Sequence, residues 1–201
     1  MSTTRMVFSG SGGQGVITAA IILGEASGIF EGLNVVQTQV YGPEARGGAS
    51  RADLVISDEP IRYPKVINPQ VLICLTQEAY NKYAGIVRPG GILIVEASLV
   101  QVAKKIDARQ MELPMLEAVQ KKIGKPVVFN ICMLGALVSL TKVVRPESVL
   151  KAIENRITPR FLAMNQEAFE LGQELAHGIK SPSFSVTTPA REQEDKEIVN
   201  L

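Results

Sequence analysis

Residues 10–15 read Gly-Ser-Gly-Gly-Gln-Gly and stand between a short apolar strand and an apolar helix. Glycines at such a turn leave backbone N–H groups open to a closely approaching anion, and the start of the following helix adds a partial positive charge. The spacing therefore favours binding of a phosphate or another anionic group of a nucleotide. The candidate binding residues are Gly10, Gly12, Gly13, Gln14 and Gly15.

A structural interpretation of the same glycines is that they only let the strand and the helix pack closely. A dinucleotide site also requires an acidic residue at the end of the second strand, about 20 residues on, to hold a ribose hydroxyl. The second predicted strand ends at Gln39, Val40 and Tyr41, and Glu44 comes only later, in a Pro/Gly loop. Binding of NAD(P) is therefore the less favoured form of the nucleotide hypothesis.

A second unusual segment, residues 41–48, reads Tyr-Gly-Pro-Glu-Ala-Arg-Gly-Gly. Its Gly-Pro pair stiffens a turn that carries Glu44 and Arg46. One interpretation is an exposed ion pair, worth about 0–1 kcal/mol. The other is that the planar guanidinium of Arg46 is presented to a phosphate or a carboxylate. The residues alone leave both open.

Composition predicts a chain with a sizeable core. Of its 201 residues 46% are hydrophobic, and the formal net charge is +1, which argues against nucleic acid as the main partner. The N-terminal residues do not resemble a signal peptide. The longest apolar run, residues 131–140, is too short to span a bilayer, so no membrane partner is expected. We expect a soluble cytoplasmic protein.

The chain is poor in residues that bind metals or act as nucleophiles. Its two cysteines, Cys74 and Cys132, both fall in apolar runs and are expected to be small buried hydrophobic residues. No Cys-x-x-Cys is present, so the chain alone is not expected to hold an iron–sulfur cluster or a structural zinc. The single histidine, His177, is expected in the last turn of a helix, where it complements the helix dipole. No catalytic residue and no metal ligand is predicted.

Strands and helices alternate along the chain, which predicts an α/β, three-layer α/β/α domain with a mostly parallel, mixed sheet. The short link between the second and third strands predicts an antiparallel hairpin. The predicted strands are residues 5–9, 34–40, 50–57, 71–75, 92–95 and 127–129. The predicted helices run from the glycine turn to residue 30, over 78–86, 113–123 and 130–140 (capped by Asn130), from Pro146, and from Thr158 to Gly178. Residues 1–180 are expected to form the domain, and residues 181–201 an extended or flexible tail.

Together, the two motifs resemble the gamma subunit of 2-oxoacid:ferredoxin oxidoreductases. The resemblance rests on residues 10–16 and on residues 41–51, Tyr-Gly-Pro-Glu-Ala-Arg-Gly-Gly-Ala-Ser-Arg. The sequences Ile-Arg-Tyr-Pro at 61–64 and Arg-Pro-Gly-Gly at 88–91 fit the same family, and the similarity covers residues 5–158. The second motif is most similar to that of the 2-oxoglutarate branch.

The resemblance implies oxidative decarboxylation of a 2-oxoacid to an acyl-coenzyme A, with reduction of ferredoxin. It assigns thiamine diphosphate and the iron–sulfur clusters to partner subunits, and this chain has no Gly-Asp-Gly that could begin a thiamine diphosphate motif. The expected partners are alpha and beta subunits, with a ferredoxin-like delta subunit as a further candidate. The glycine turn and Arg46 would then shape the coenzyme A side of the site.

Two further expectations follow for the isolated chain: it should not oxidise 2-oxoacids, and it should form a homo-oligomer, because removal from a complex exposes apolar surface. Two alternatives remain open at this point. One is an independent Rossmann-like nucleotide-binding oxidoreductase. The other is a purely structural interaction subunit, in which the glycine turn contacts only protein.

Overall fold

A computed structural model describes residues 3–40, 49–102 and 106–178. The predicted tail at 181–201 and the segment at 41–48 lie outside these residues. The strands are β1 (Thr4–Gly10), β2 (Asn34–Val40), β3 (Ser50–Ser57), β4 (Val71–Cys74), β5 (Gly91–Glu96) and β6 (Ala108–Leu113). The α-helices are α1 (Val16–Glu25), α2 (Gln77–Tyr83), α3 (Met115–Lys122), α4 (Phe129–Thr141), α5 (Pro146–Arg156) and α6 (Pro159–His177). Helix α1 continues into a π-helical turn, Ala26–Phe30.

The strands form one mixed sheet in the order β2-β3-β1-β4-β5-β6. Strands β1, β4, β5 and β6 are parallel to one another, and β3 runs antiparallel to both β1 and β2. The predicted hairpin is therefore confirmed as β2–β3. Strands β4 and β5 are buried along their whole length, as their continuous apolar sequences predict for central parallel strands.

Helices cover both faces of the sheet, which confirms the three-layer prediction. Because neighbouring side chains on a strand point to opposite faces, Met6 and Phe8 of β1 pack with α1, α4 and α6, whereas Val7 packs with Tyr80 of α2. Helix α4 is buried almost all round, as its apolar sequence predicts. Within the described residues, no helix has both the length and the apolar character needed to cross a bilayer.

Strand β6 was not predicted from the sequence. Its residues read Ala-Arg-Gln-Met-Glu-Leu, and only Met111 and Leu113 are fully buried. It is the last strand of the sheet and pairs only with β5 among the described residues. An edge strand can carry charged residues and bury few of its side chains, so its sequence resembles that of a loop.

The predicted strand at 127–129 is wrong, and so is the prediction that Asn130 caps a helix. Pro126–Val128 form a 3₁₀ turn that runs directly into α4, and Asn130 is the second residue of that helix. Proline is suited to the first position of a helical turn, because its fixed φ matches that conformation and its missing N–H is not needed there. Val127 is 77% exposed, so this short apolar run is not part of the core.

A buried carboxylate joins the parallel strands to α3. Glu96, at the end of β5, accepts hydrogen bonds through Oε1 from the Ser98 amide (3.1 Å) and hydroxyl (2.6 Å). Its Oε2 accepts a hydrogen bond from the amide of Leu116 (3.0 Å). The residue before α3 is Pro114, which offers no capping side chain, so Glu96 replaces the missing N-cap.

Both cysteines are free and buried, as predicted. Burial raises the pKa of each thiol to about 12, and the negative charge of Glu96 adds to the effect on Cys132. Because the thiolate is the reactive form, we expect neither thiol of the folded chain to react with a disulfide reagent at neutral pH. Spectroscopic thiol counting should find no reactive group before denaturant is added and two afterwards. Rapid labelling of either cysteine in the folded protein would contradict this.

Candidate functional site

The glycine turn lies at the end of β1, beside β4, and the helices that follow these two strands pack on opposite faces of the sheet. Strands β1 and β4 are parallel neighbours, with Ser9 opposite Cys74. Helix α1, which follows β1, packs on one face, and α2, which follows β4, packs on the other. A crevice opens between two strand ends when their helices leave on opposite faces, and ligands of open α/β sheets bind there.

Gln14 braces the turn. Its side-chain Oε1 accepts a hydrogen bond from the Ser11 amide at 2.8 Å, and its own amide donates to the Ser11 carbonyl at 3.3 Å. Its Nε2 donates across the crevice to the carbonyl of Leu75, just beyond β4, at 3.5 Å. Gln14 therefore fixes the loop and the distance between the two strand ends.

The glycines of the turn meet different physical requirements. A Cβ on Gly10 would lie 2.5 Å from Gln14 Oε1 and 3.2 Å from Leu75 Cβ, so this position needs glycine for close packing. Gly13 and Gly15 adopt φ values of 87° and 71°, in the left-handed region that favours glycine. Gly12 has no positive φ, and open space surrounds the position of its missing Cβ.

Several amides of the turn are free to bind a ligand. Among the described residues, the N–H groups of Gly12, Gly13 and Gly15 have no hydrogen-bond acceptor. Gly12 and Gly13 are exposed, and Gly15 is the N-cap of α1, whose first amides also lack partners within the helix. A row of such amides at a helix N-terminus is suited to an anion.

Asn130, which was predicted to cap a helix, instead contacts the glycine turn. Its Nδ2 donates to the carbonyl of Gly15 at 3.3 Å, although the two residues are 115 positions apart. A Cβ on Gly15 would lie 2.6 Å from that nitrogen. The contact brings the N-terminal turn of α4 against the start of α1, so two helix N-termini, each with a partial positive charge, lie together at the crevice.

The second motif connects β2 to β3 at the end of the sheet where the glycine turn lies. Residues 41–48, including Glu44 and Arg46, lie outside the described residues, but both flanks are defined. Ser50, the first residue of β3, is opposite Gly10. Just before it, the amide of Ala49 donates to Glu78 Oε1 of α2 at 3.2 Å. The segment therefore returns to the sheet directly beside the glycine turn.

Arg51, the last residue of that motif, has a structural role. Its guanidinium forms a bidentate pair with Asp53, with distances of 2.6 and 2.9 Å, and donates to the carbonyl of Val66 at 3.0 Å. It also lies over the ring of Tyr83, 5.2 Å from the centroid. These contacts attach the loop before β4 to β3 and leave the arginine little capacity to bind a ligand.

The remaining polar candidates do not converge on the crevice. His177 is the last residue of α6, as predicted, and its Nε2 lies 3.3 Å from the hydroxyl of Ser139 on α4. Within the residues that the structure describes, no group of three or more His, Cys, Asp or Glu side chains could hold a metal ion. What the described geometry offers at the glycine turn is therefore recognition of an anion by backbone amides.

Comparison with known proteins identifies the family of this chain. A model of the pyruvate ferredoxin/flavodoxin oxidoreductase family matches residues 5–175. The KorC subunit of 2-oxoglutarate synthase from Methanocaldococcus jannaschii is 46% identical over 170 residues, which are 84% of this chain and 91% of the relative. The KorC subunit from Methanothermobacter marburgensis is 42% identical over 173 residues, 83% of this chain and 93% of the relative.

Solved structures show the same fold. The gamma subunit of a keto/oxoacid ferredoxin oxidoreductase from Geobacter sulfurreducens superposes with a TM-score of 0.80 at 38% identity, over 88% of this chain and 99% of that one. A 2-oxoglutarate:ferredoxin oxidoreductase from Magnetococcus marinus matches with a TM-score of 0.83 at 22% identity, over 94% of this chain and 34% of that one. This chain therefore belongs to the pyruvate ferredoxin/flavodoxin oxidoreductase family, as a gamma subunit of a 2-oxoacid:ferredoxin oxidoreductase.

Proposed function

We propose that this chain serves a 2-oxoglutarate:ferredoxin oxidoreductase and that its glycine turn binds an anionic group of coenzyme A. The choice of substrate is supported by the relatives named 2-oxoglutarate synthase, which match it over most of their length. The observation that carries the proposed site is the set of free amides of Gly12, Gly13 and Gly15 at the crevice between β1 and β4. Phosphate groups of coenzyme A are anions of the kind that such amides favour.

In this proposal the chain binds and positions, and partner subunits carry out the redox chemistry. Thiamine diphosphate would supply the carbanion chemistry of decarboxylation, and iron–sulfur clusters would pass electrons to ferredoxin. Alpha and beta subunits, and a ferredoxin-like delta subunit, are the proposed holders of these groups. The gamma chain would hold coenzyme A at the surface where its thiol meets the partner subunits.

Arg46 is the proposed second contact with the anion. Its place in the sequence is the support, because Ser50, which follows residues 41–48 after Ala49, lies opposite Gly10 of the glycine turn. A guanidinium there would add a charged hydrogen bond to those of the amides, and such a bond is worth about 1.5–3 kcal/mol.

A second candidate role is structural. The same free amides could accept a carboxylate or a carbonyl of a partner subunit, so that the glycine turn contacts only protein. The two roles predict different consequences of blocking the turn. A coenzyme A site loses affinity for coenzyme A, whereas a protein contact loses assembly.

The test is Gly12→Val in the reconstituted complex. Gly12 has no positive φ, and a Cβ there meets nothing within 4 Å, so the fold tolerates the substitution while the side chain blocks approach to the amides. We expect the KM for coenzyme A to rise at least about tenfold, which is the loss of one good hydrogen bond to an anion. Steady-state rates at varied coenzyme A concentration measure it.

The matched control is Gly85→Val. Gly85 is also exposed, has no positive φ and is surrounded by open space, but it lies in the 3₁₀ turn Ala84–Ile86 that follows α2. Its KM should equal that of the wild type. If Gly12→Val assembles and leaves both the KM and kcat unchanged, the coenzyme A site is wrong and the turn only packs. If Gly12→Val folds but no longer copurifies with its partners, the structural role is correct.

A further inference from the structure

The loop between β3 and β4, residues 58–70, presents two hydrophobic side chains to solvent. Tyr63 is 52% exposed and Ile67 is 61% exposed, although they are only four positions apart. Val66, between them, is buried in the core on the α2 side of the sheet, so the backbone turns one side chain inward and the next outward. Exposed apolar side chains that are grouped in this way are typical of a contact with another protein.

Hydrogen bonds hold this loop in place. The guanidinium of Arg51 donates to the carbonyl of Val66 at 3.0 Å. Further along, the amide of Arg88 donates to the carbonyl of Pro69, also at 3.0 Å, which joins the loop to the turn before β5. Because the backbone is already fixed on both sides of Ile67, little conformational entropy remains to be lost when a partner binds.

Positive charges lie near the exposed Ile67. Lys65 comes two residues before it, and both Lys65 and Lys82 of α2 are exposed. The ammonium of Lys82 lies 5.5 Å from the centroid of the Tyr83 ring, and the guanidinium of Arg51 lies 5.2 Å from the same centroid, so the end of α2 lies against the loop. Within the part of the chain that the structure describes, neither lysine forms an ion pair. Unpaired cations beside an apolar side chain are suited to an acidic partner.

The acidic residues of the same elements lie elsewhere. Asp58 and Glu59 follow β3 directly, and the carbonyl of Asp58 accepts a hydrogen bond at 3.5 Å from the side chain of Asn34, at the start of β2. Strand β1 separates these strands from β4, into which the other end of the loop leads. Glu78, the acidic residue of α2, lies in its first turn, whereas Lys82 lies in its last. The positive charges near the exposed apolar side chain are therefore not balanced by their own elements.

We propose that Tyr63, Lys65, Ile67 and Lys82, which we call the Ile67 surface, bind an acidic surface of a partner subunit in the oxidoreductase complex. The two hydrophobic side chains supply the desolvated centre of the contact, and the two lysines pair with carboxylates of the partner around it. A second copy of this chain does not fit, because a two-fold contact would bring the same positive charges into one interface.

The Ile67 surface and the glycine turn lie at opposite ends of the sheet. Strands β1 and β4 are parallel, and the loop leads into the start of β4 at Val71, whereas the glycine turn follows the end of β1 at Gly10. The proposal is therefore independent of the coenzyme A site. Damage to the Ile67 surface should lower assembly and leave the KM for coenzyme A unchanged in the complexes that still form.

The first test compares Ile67→Ser with Ile29→Ser as its control. Ile29 is 68% exposed on the π-helical turn that follows α1, so both substitutions remove the same side chain from a similarly exposed position. Equal amounts of wild-type and variant chain compete for a limiting amount of partner subunits, and mass spectrometry of the purified complex gives the ratio incorporated. Ile67→Ser should be incorporated at least about tenfold less than the wild type, and Ile29→Ser equally.

The second test concerns charge. The double variant Lys65→Glu, Lys82→Glu should be incorporated at least about tenfold less than the wild type at low salt. The difference should become smaller as salt is raised, because salt screens exposed charges. Lys151→Glu, at an exposed position of α5, is the control and should be incorporated equally. In the wild-type complex a carbodiimide, which joins an amine to a carboxylate in contact with it, should crosslink Lys65 or Lys82 to a partner subunit and should not crosslink Lys151 to one.

Urea denaturation of the isolated variants should give nearly the wild-type free energy of unfolding, so that lost incorporation reports lost binding. Three results would overturn the proposal: equal incorporation of Ile67→Ser and the wild type, equal incorporation of the double lysine variant at low salt, and no carbodiimide crosslink from Lys65 or Lys82 to a partner subunit. If Ile67→Ser is incorporated normally but weakens self-association of the isolated chain in sedimentation velocity, the surface binds a second copy and the proposal is wrong.

Discussion

Gly172→Ala is expected to lower the free energy of unfolding by about 3 kcal/mol or more, through overpacking between two helices. Gly172 lies on α6 where that helix crosses α4. A Cβ at this position would overlap with the carbonyl oxygen of Cys132 and would lie 2.8 Å from the amide nitrogen of Ala136. Both are backbone atoms inside a helix, so they cannot move aside as a flexible side chain can.

A second glycine makes the contact reciprocal. A Cβ on Gly135, of α4, would overlap with the carbonyl oxygen of Phe169, of α6, and would lie 2.9 Å from its carbonyl carbon. Each helix therefore uses a glycine to receive the backbone of the other. Gly135→Ala should be destabilising to a similar degree, and the double variant should lose less than the sum if one helix displacement relieves both overlaps.

Urea denaturation followed by circular dichroism measures these losses. The matched control is Gly85→Ala, at an exposed glycine with open space and no positive φ, which should change stability by less than about 1 kcal/mol. A Gly172→Ala variant as stable as the control would mean that α4 and α6 can separate at no cost, and the close crossing would then not be a determinant of the fold.

The fold was largely predictable, because its strongest signals are local. Continuous apolar strands, a hairpin link too short for a helix, and a helix that is apolar all round each depend on neighbouring residues, and all three were confirmed. The failures depend on tertiary context. β6 becomes a strand only because β5 lies beside it. Residues 127–129 are helical because a 3₁₀ turn that begins at Pro126 leads directly into α4.

The candidate site was predictable only in part, for the same reason. The glycine motif could be found from its spacing, and the positive φ values of Gly13 and Gly15 agree with it. The bond from Asn130 to Gly15 joins residues far apart in sequence, and nothing in the sequence near Asn130 indicates that contact. The role of Arg51 was equally hidden, because Asp53, Val66 and Tyr83 meet it only in the folded chain.

Gly15→Ala is expected to destabilise the chain by about 3 kcal/mol, through two separable causes. The first is the backbone, because φ is 71° and a side chain there costs about 1 kcal/mol or more. The second is steric, because the new Cβ would lie 2.6 Å from Nδ2, 2.8 Å from Cγ and 3.0 Å from Cβ of Asn130. Only the second cause depends on the residue at position 130.

Asn130→Ala separates the two causes. Alone, it removes the hydrogen bond to the Gly15 carbonyl and should cost about 1 kcal/mol. Combined with Gly15→Ala, it removes the nitrogen and the Cγ that the new methyl group would meet. The double variant should therefore be no less stable than Gly15→Ala alone, although both single substitutions are destabilising. Urea denaturation of the four proteins gives the coupling free energy, which we expect to be about 1–2 kcal/mol in favour of the pair.

The functional result of the same cycle distinguishes positioning from packing. Asn130 contacts the turn through the carbonyl that begins α1, so its loss should change where the free amides of Gly13 and Gly15 point. If those amides bind coenzyme A, Asn130→Ala should raise the KM for coenzyme A in the reconstituted complex while leaving kcat at saturating coenzyme A near the wild-type value. A strictly additive cycle with an unchanged KM would show that Asn130 neither restrains Gly15 nor shapes the turn, and that α4 touches the start of α1 without consequence for either.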